Sequence, residues 1–361
     1  MKNHAFFTFQ LLKWDKNENF RVMPWKGERD PYKIWLSEII LQQTRVSQGL
    51  GYYNEFVNRF PTITLLANAN EQEIYKLWEG LGYYSRCKNL IATAKYIADT
   101  LGGTFPNNYD NLLKLKGVGP YTAAAIASFA YNIPKAVLDG NVFRVLSRFF
   151  GIREPIDSKT GKEVFEKLAN ELLEKSEPGR YNQSIMDFGA NICKPRNPEC
   201  EICPLQQKCE AYRHNLIELL PIKEKRIKQK ERWFLYLLVH DGGEIYIRQR
   251  AKGDIWENLH EFILIELPSI KGFSDLKNNK SFRTMFGRGN YKIVKESSIY
   301  QQKLTHQIIK TKFIEIKAAK ISLPEGYFKV TENAIKKLAF PKVITTFLAD
   351  KNVSLNLTKG V

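Results

Sequence analysis

Over the first two hundred or so residues, apolar side chains recur every three or four positions with polar residues between them. Beyond residue 232 they gather into short runs rich in β-branched and aromatic types. The first pattern predicts helices. One runs over Tyr32–Leu50, opened by Asp30 as N-cap and Pro31 in the first turn; others fall near 53–60, 71–80, 86–101, 109–115, 120–131, 141–150 and 160–174. The second pattern predicts strands at 233–239, 244–250, 261–267 and 312–318. Asp241-Gly242-Gly243 turns a hairpin between the first two, and a last helix covers roughly 331–349. The expected architecture is a mainly helical domain over 1–212, a basic connector over 213–231, and an α+β domain over 232–361. The stretch Ile222–Arg232 holds six basic and two acidic residues, as a solvated or phosphate-facing connector would.

Composition narrows the classes. With 361 residues, 43% hydrophobic and 26% charged, the chain is globular rather than disordered or repetitive. Its net charge of +17 points to a polyanionic partner. The longest uncharged run, Gly117–Pro134, contains two glycines and two prolines and is a poor membrane span. The amino terminus has a short apolar stretch with no small-residue cleavage site. A soluble intracellular protein, in the cytoplasm, is expected.

Four of the five cysteines, Cys193, Cys200, Cys203 and Cys209, fall within 17 residues as C-x6-C-x2-C-x5-C. So tight a cluster suggests a metal site more than disulfides. Zinc usually takes two short knuckles, and here there is one short pair flanked by longer gaps. Spacing therefore leans to a [4Fe–4S] cluster without excluding zinc. Pro195, Pro198 and Pro204 favour a stiff, non-helical loop. Cys87 stands apart and reads as a packed helix residue.

Leu115-Lys116-Gly117-Val118-Gly119-Pro120-Tyr121 joins two helical segments. Gly117 and Gly119 permit a tight turn and close approach of a ligand, and Pro120 starts the next helix, whose open amides form an anion site. A helix–hairpin–helix gripping a DNA backbone fits this; a plain helix–helix turn also explains it. Such contacts position a duplex without reading it.

Two carboxylates stand out. Glu38 lies among Ile34, Trp35 and Leu41 on the apolar face of its helix. Desolvation there should raise its pKa and suit it to general acid work, unless it is an ion-paired structural group, with Arg45 as a partner. Asp139 precedes the helix at 141–150, where amide donors should hold it ionised; an ordinary N-cap is the simpler role. Together, a neutral acid and a fixed anion are what cleavage of a C–N glycosidic bond requires.

Several motifs, in order, carry a resemblance. They are Arg21…Pro24-Trp25, Asp30-Pro31-Tyr32…Ile34-Trp35, Ser37-Glu38-Ile39, Leu41-Gln42-Gln43-Thr44, Gly80-Leu81-Gly82-Tyr83-Tyr84-Ser85-Arg86, Gly117-Val118-Gly119, Leu138-Asp139-Gly140-Asn141-Val142…Arg144 and the four cysteines. Over about 1–212 the chain resembles the adenine DNA glycosylases of MutY type, in the helix–hairpin–helix glycosylase superfamily. The resemblance implies a [4Fe–4S] cluster on the four cysteines and removal of adenine mispaired with 8-oxoguanine or guanine in duplex DNA. It makes Glu38 the acid that protonates adenine N7 and then the base toward water. Asp139 becomes the stabiliser of the oxocarbenium ion. Tyr121 takes the position where bifunctional relatives carry a Schiff-base lysine, so the chain should hydrolyse without cutting the strand; Lys114 and Lys116 are the neighbouring amines for any weak lyase activity. Arg21 and Trp25 join the DNA-binding set, Gln43 and Tyr83 become the wedge that fills the gap left by a flipped adenine, and Thr44 and Leu81 touch the lesion side. The likeness also implies a monomer.

The second domain resembles the family's Nudix-like lesion-recognition domain, on Arg248-Gln249-Arg250 followed by Trp256, without the hydrolase box. Leu304-Thr305-His306 stands where the family usually has Phe-Ser-His, and His260 where it usually has Trp. Thr305 keeps a hydroxyl for a base edge beside His306, and the departures put the strength of 8-oxoguanine preference in question. Two rivals are an endonuclease III-like pyrimidine glycosylase and lyase, disfavoured by Tyr121 and the extra domain, and a non-catalytic DNA-binding iron–sulfur protein, disfavoured by the Glu38–Asp139 pair.

Overall fold

The structure, a computed structural model, describes residues 2–224, 228–269, 274–287, 291–318 and 320–350. Contacts divide the chain into two units: residues 1–68 with 89–226, and residues 69–88 with 227–361. The segment 69–88, which the sequence reading places in the helical domain, thus groups with the carboxy-terminal part.

The first unit is helical. Its elements are α1 (Lys2–Glu18), α2 (Pro31–Leu41), α3 (Val46–Arg59) and α4 (Ile63–Asn68). After α5 (Glu71–Leu77), which belongs to the other unit, come α6 (Tyr84–Thr100), within which the division falls, and α7 (Tyr109–Leu112). Then follow α8 (Pro120–Tyr131), α9 (Gly140–Phe150), α10 (Lys159–Leu172), α11 (Pro178–Asn191) and α12 (Glu210–Arg213). The expected helix over Tyr32–Leu50 is broken after Leu41, and its second half begins α3. The break lies at Gln43, whose φ of +55° is incompatible with continued α-helix. Asp30 does cap α2, accepting from Tyr32 N at 2.9 Å. One core joins Phe7, Leu11 and Trp14 of α1 to Leu146, Phe165 and Phe188; Trp14 meets Phe188 edge-on at 5.1 Å. Ala123, Ala124, Ala125 and Ala127, all buried, keep α8 thin enough to sit between α2 and α11. At Gly179 a Cβ would meet Ser128 O at 2.8 Å, so the glycine sets the α8–α11 approach.

The expected connector over 213–231 is drawn in from both ends. Leu220 is buried, Arg148 Nε donates to its carbonyl at 3.1 Å, and Ile156 N donates to Ile222 O at 3.0 Å. Strand pairing begins at Lys230, and residues 225–227 of the connector lie outside the described residues.

The second unit is α+β. Among the described residues its sheet comprises β1 (Lys230–Asp241), β2 (Glu244–Gln249), β3 (His260–Leu267), β4 (Tyr291–Glu296), β5 (Tyr300–Lys303), β6 (Gln307–Ala318) and β7 (Tyr327–Val330). The order is β4-β6-β1-β3-β2-β7, with β5 also on β6. β1 and β6 are parallel, with Phe234 opposite Thr311; β1 and β2 are antiparallel, closed by Gly242 and Gly243 at φ +60° and +85°. The helices are α13 (Ser274–Lys277), α14 (Lys280–Phe286), α15 (Glu332–Lys337) and α16 (Lys342–Ala349). The expected helix over 331–349 is interrupted at Leu338–Pro341, where Pro341 cannot continue it. Sequence patterning missed β4, β5 and β7, which are short and largely exposed.

The unbroken apolar run of β1 has a physical cause: both sheet faces are covered. Leu235, Leu237 and Val239 face Phe282 and Phe286 of α14. On the other face Phe313 stacks on Phe347 of α16 at 3.8 Å, and Phe262 on Phe340 at 5.9 Å. Within that packing Glu261 is fully buried and satisfied. Arg248 Nε donates to its Oε1 at 2.9 Å, Tyr236 Oη donates to its Oε2 at 3.1 Å, and Arg250 Nη1 pairs with Oε2 as well. The Arg248…Arg250 motif is therefore a clamp on a buried carboxylate.

Candidate functional site

Three helices of the first unit deliver the candidate catalytic groups. Glu38 comes from the buried face of α2, Tyr121 from the first turn of α8, and Asp139 from the N-cap of α9. Glu38 is only 7% exposed. Burial pushes its pKa up to about 7; the Tyr121 hydroxyl, hydrogen-bonded to it, pulls the value down, and the charge of Asp139 pushes it further up. The two carboxyls are thus near enough to interact. Among the described residues Glu38 forms no ion pair, and Arg45 serves as N-cap of α3, so the ion-paired alternative is not what is observed. The pKa of Tyr121 lies well above the ordinary tyrosine value, first through burial and then through the two carboxylates, which keeps its hydroxyl a donor. The same hydroxyl lies 3.4 Å from Met186 Sδ on α11.

Asp139 Oδ1 accepts from Asn141 N at 2.8 Å and Val142 N at 2.7 Å, and Oδ2 accepts from Asn141 Nδ2 at 2.7 Å. All three bonds select the carboxylate form. Its pKa is nevertheless raised, because desolvation outweighs the donors and the attraction of Arg144. Asn141 is held in turn by Arg144, whose Nη2 donates to Asn141 Oδ1 at 2.8 Å and Gly189 O at 2.7 Å, while Nε donates to Cys193 O at 2.7 Å.

The hairpin between α7 and α8 is tied to the same region. Gln42 Nε2 donates to Gly117 O and Thr122 Oγ1, each at 3.3 Å. Gly117 requires glycine: its φ is +77° and a Cβ would lie 2.9 Å from Asn89 Cβ. Gly119 does not, since its backbone is extended and a Cβ would meet nothing within 4 Å. It caps α8 without a side chain, leaving the helix amides open on that side.

Gln43 is exposed on its left-handed backbone, with Thr44 half-buried beside it. Arg21 and Trp25 do not form a free DNA surface. Arg21 Nη1 is bound at 2.8 Å to the fully buried Asp187, which also accepts from Lys26, Asn19 and Gln183 at 3.0 Å. Trp25 is 9% exposed, meets Tyr53 edge-on at 5.1 Å, and lines a cavity of about 610 Å3, open mouth included, with Lys26, Phe129, Arg180 and Gln183.

The four cysteines line a cavity of about 340 Å3, open mouth included, together with Arg148. Arg148 is 3% exposed; its Nη1 lies 3.6 Å from Cys193 Sγ, and it also donates to the carbonyls of Lys194 and Pro195 at 2.7 and 3.1 Å. Burial lifts the Cys203 thiol to about 12, so metal cations are needed to hold it as thiolate. Among the described residues no three His, Cys, Asp or Glu side chains converge on a single ion. Four thiols lining one cavity, with the buried cation of Arg148 beside them, are a donor set that fits a [4Fe–4S] cluster.

In the second unit Tyr83 and Thr305 come together. Tyr83 is 42% exposed at φ +48°, and its hydroxyl lies 2.9 Å from Thr305 Oγ1. Thr305 and exposed His306 sit in the β5–β6 turn, where Leu304 N donates to Gln307 O at 2.8 Å. Leu81, expected on the lesion side, is 4% exposed, so its side chain is buried. The sequence reading missed Asn141 and Arg144 as supports of Asp139, and Asp187 as the anchor of the 19–26 loop. An Asn two residues after a capping Asp was the available signal for the first; nothing local marks Asp187.

Residues 36–174 match the HhH-GPD superfamily of base excision DNA repair proteins, and residues 193–209 match the iron–sulfur binding domain of endonuclease III. The adenine DNA glycosylase of Buchnera aphidicola subsp. Schizaphis graminum is 38% identical over 280 residues, 76% of this chain and 79% of that protein. That of Homo sapiens is 39% identical over 57% of this chain and 39% of that protein. A thermostable thymine-DNA glycosylase has a TM-score of 0.55 at 30% identity, covering 59% of this chain and 97% of that one. An endonuclease III–DNA complex, at TM-score 0.52 and 22% identity over 60% of this chain and 97% of that one, shares the fold.

Proposed function

This chain belongs to the adenine DNA glycosylase family, and we propose that its substrate is adenine mispaired with 8-oxoguanine or guanine in duplex DNA. It is a DNA N-glycosylase, a hydrolase of base excision repair that removes adenine, and it carries a [4Fe–4S] cluster in its 193–209 loop. The cluster ligands in this reading are Cys193, Cys200, Cys203 and Cys209; when bound, the cluster supplies Fe–thiolate bonds that cross-link the loop.

The observation that carries the catalytic reading is the meeting of Glu38, Tyr121 and Asp139. With its pKa near 7, Glu38 is substantially protonated at neutral pH and holds a transferable proton. It protonates N7 of an adenine flipped from the stack, turning the base into a neutral leaving group as the C1′–N9 bond breaks. Tyr121 donates to the Glu38 carboxyl and steadies its charged form once the proton has left. Asp139, fixed on both oxygens by Asn141 and Val142, faces the positive charge developing on the sugar. Glu38, now the base, takes a proton from the attacking water. No amine stands at position 121, so no imine forms there and the strand stays intact. The open amides at Gly119 take a backbone phosphate, Gln43 and Tyr83 fill the gap left by the flipped base, and Thr305 and His306 meet the opposite base. The enzyme works as a monomer on nucleoid DNA; among the described residues no helix is long and apolar enough to cross a membrane.

Single-turnover excision on A:8-oxoguanine, A:G and A:C duplexes tests this. Excision ranked in that order, with little borohydride-trapped adduct, is expected. A strong trapped adduct on oxidised-pyrimidine DNA with no adenine release would overturn it.

A further inference from the structure

The guanidinium of Arg86 lies over two aromatic rings. Its central carbon is 5.2 Å from the ring centre of Trp78 and 5.4 Å from that of Tyr83. Trp78 is fully buried, Arg86 is 7% exposed, and Tyr83 alone of the three reaches solvent. Arg86 Nη2 donates to Gly82 O at 3.3 Å, the carbonyl to which Trp78 Nε1 donates at 3.0 Å, and Arg86 N donates to Tyr83 O at 2.8 Å. Gly82 and Tyr83 both have positive φ, +80° and +48°. For tyrosine that conformation is costly, and it persists only where surrounding bonds hold it. Burial lowers the Arg86 pKa to about 10, so the group stays cationic at neutral pH, and a desolvated cation attracts a ring face more strongly than a hydrated one. The far end of the Tyr83 ring is fixed at Thr305.

We propose that Arg86 is a positioning residue for base stacking: its guanidinium covers one face of Tyr83 and presents the other to a base of the opened duplex, extending a Trp78–Arg86–Tyr83 stack into DNA. This rests on Tyr83 entering the duplex, as argued above. A planar cation is needed, because lysine would keep the charge without the flat face that stacks on the ring.

The test is a double-variant cycle with the full chain on an A:8-oxoguanine duplex. It compares wild type, Arg86→Met, Arg86→Lys, Tyr83→Leu and the Arg86→Met/Tyr83→Leu pair. Duplex affinity and the fluorescence of 2-aminopurine placed at the adenine report stacking and flipping. Arg86→Met is expected to weaken binding about tenfold and cut the flipping signal, with Arg86→Lys between it and wild type. The pair should be no worse than Tyr83→Leu alone, since Arg86 acts through that ring. Losses that add in full, or an unaffected Arg86→Met beside an impaired Tyr83→Leu, overturn the proposal and leave the wedge reading standing. An unimpaired Tyr83→Leu removes the wedge reading and this proposal together. If Arg86→Met does not fold, Arg86→Lys paired with Tyr83→Leu is judged by the same additivity.

Discussion

A Cβ on Gly189 would lie 2.7 Å from Cβ of Asn141 and 3.1 Å from its carbonyl oxygen. The bare Cα on α11 therefore fixes where α9 begins. Asn141 in turn donates its amide and its side chain to the two oxygens of Asp139, while Arg144 bridges Asn141 and the Gly189 carbonyl.

Gly189→Ala should push Asn141 aside and misplace Asp139 without touching the hairpin at Gly117–Gly119. We expect the single-turnover excision rate to fall about tenfold or more, because sub-ångström misplacement of a catalytic group is costly. Duplex affinity should stay within a few-fold of wild type. A variant that loses affinity and keeps its rate would contradict this chain of contacts.

Glu38→Gln keeps the volume and the acceptor for Tyr121 but has no proton to give. Binding to the mismatched duplex should persist while excision falls by roughly a hundredfold or more. With Glu38 as the proposed acid, excision should decline as pH rises through about 7. The same group carries a stability effect of definite sign. A folded pKa of about 7, above the ordinary glutamate value of 4.5, means the protonated state favours the native fold. That contribution is full below 4.5 and is lost as pH climbs past 7. At pH 8 the Gln variant should be more stable than wild type by on the order of 3 kcal/mol, and at pH 4 the two should melt together. Equal excision by variant and wild type would remove Glu38 from the chemistry.

Cys203 belongs to the tightest pair of the loop, with its amide bonded to the Cys200 carbonyl at 3.2 Å. Cys203→Ser should lose the brown absorbance and the iron content together, and with them the order of residues 193–209. Full iron occupancy in that variant would show that the thiol is not a ligand.

Duplex binding should weaken steeply with salt. A chain of net charge +17 that meets phosphates displaces condensed counterions, so the logarithm of affinity falls with the logarithm of salt concentration. A titration from low to moderate salt reads the slope directly; a flat line would exclude phosphate-dominated binding.

Much of this molecule was legible in its residues alone. The spacing of apolar positions announced most helices, Asp241-Gly242-Gly243 announced its hairpin, and four cysteines in 17 residues announced a metal site, because each depends on near neighbours in the chain. Glu38 could be suspected from helical phase, since burial on one face follows from periodicity. What folding alone decided is convergence. Glu38, Tyr121 and Asp139 are brought together by the packing of α2, α8 and α9 across a hundred residues. The rise in the Asp139 pKa depends on how much water that packing removes, which the capping sequence cannot encode. The break at Gln43 and the grouping of residues 69–88 with the second unit were equally hidden, because helical pattern continues through both and only long-range contacts override it. Leu81 and Trp25 became packing residues for the same reason: a motif records which side chain is present, and the surrounding fold settles which way it faces.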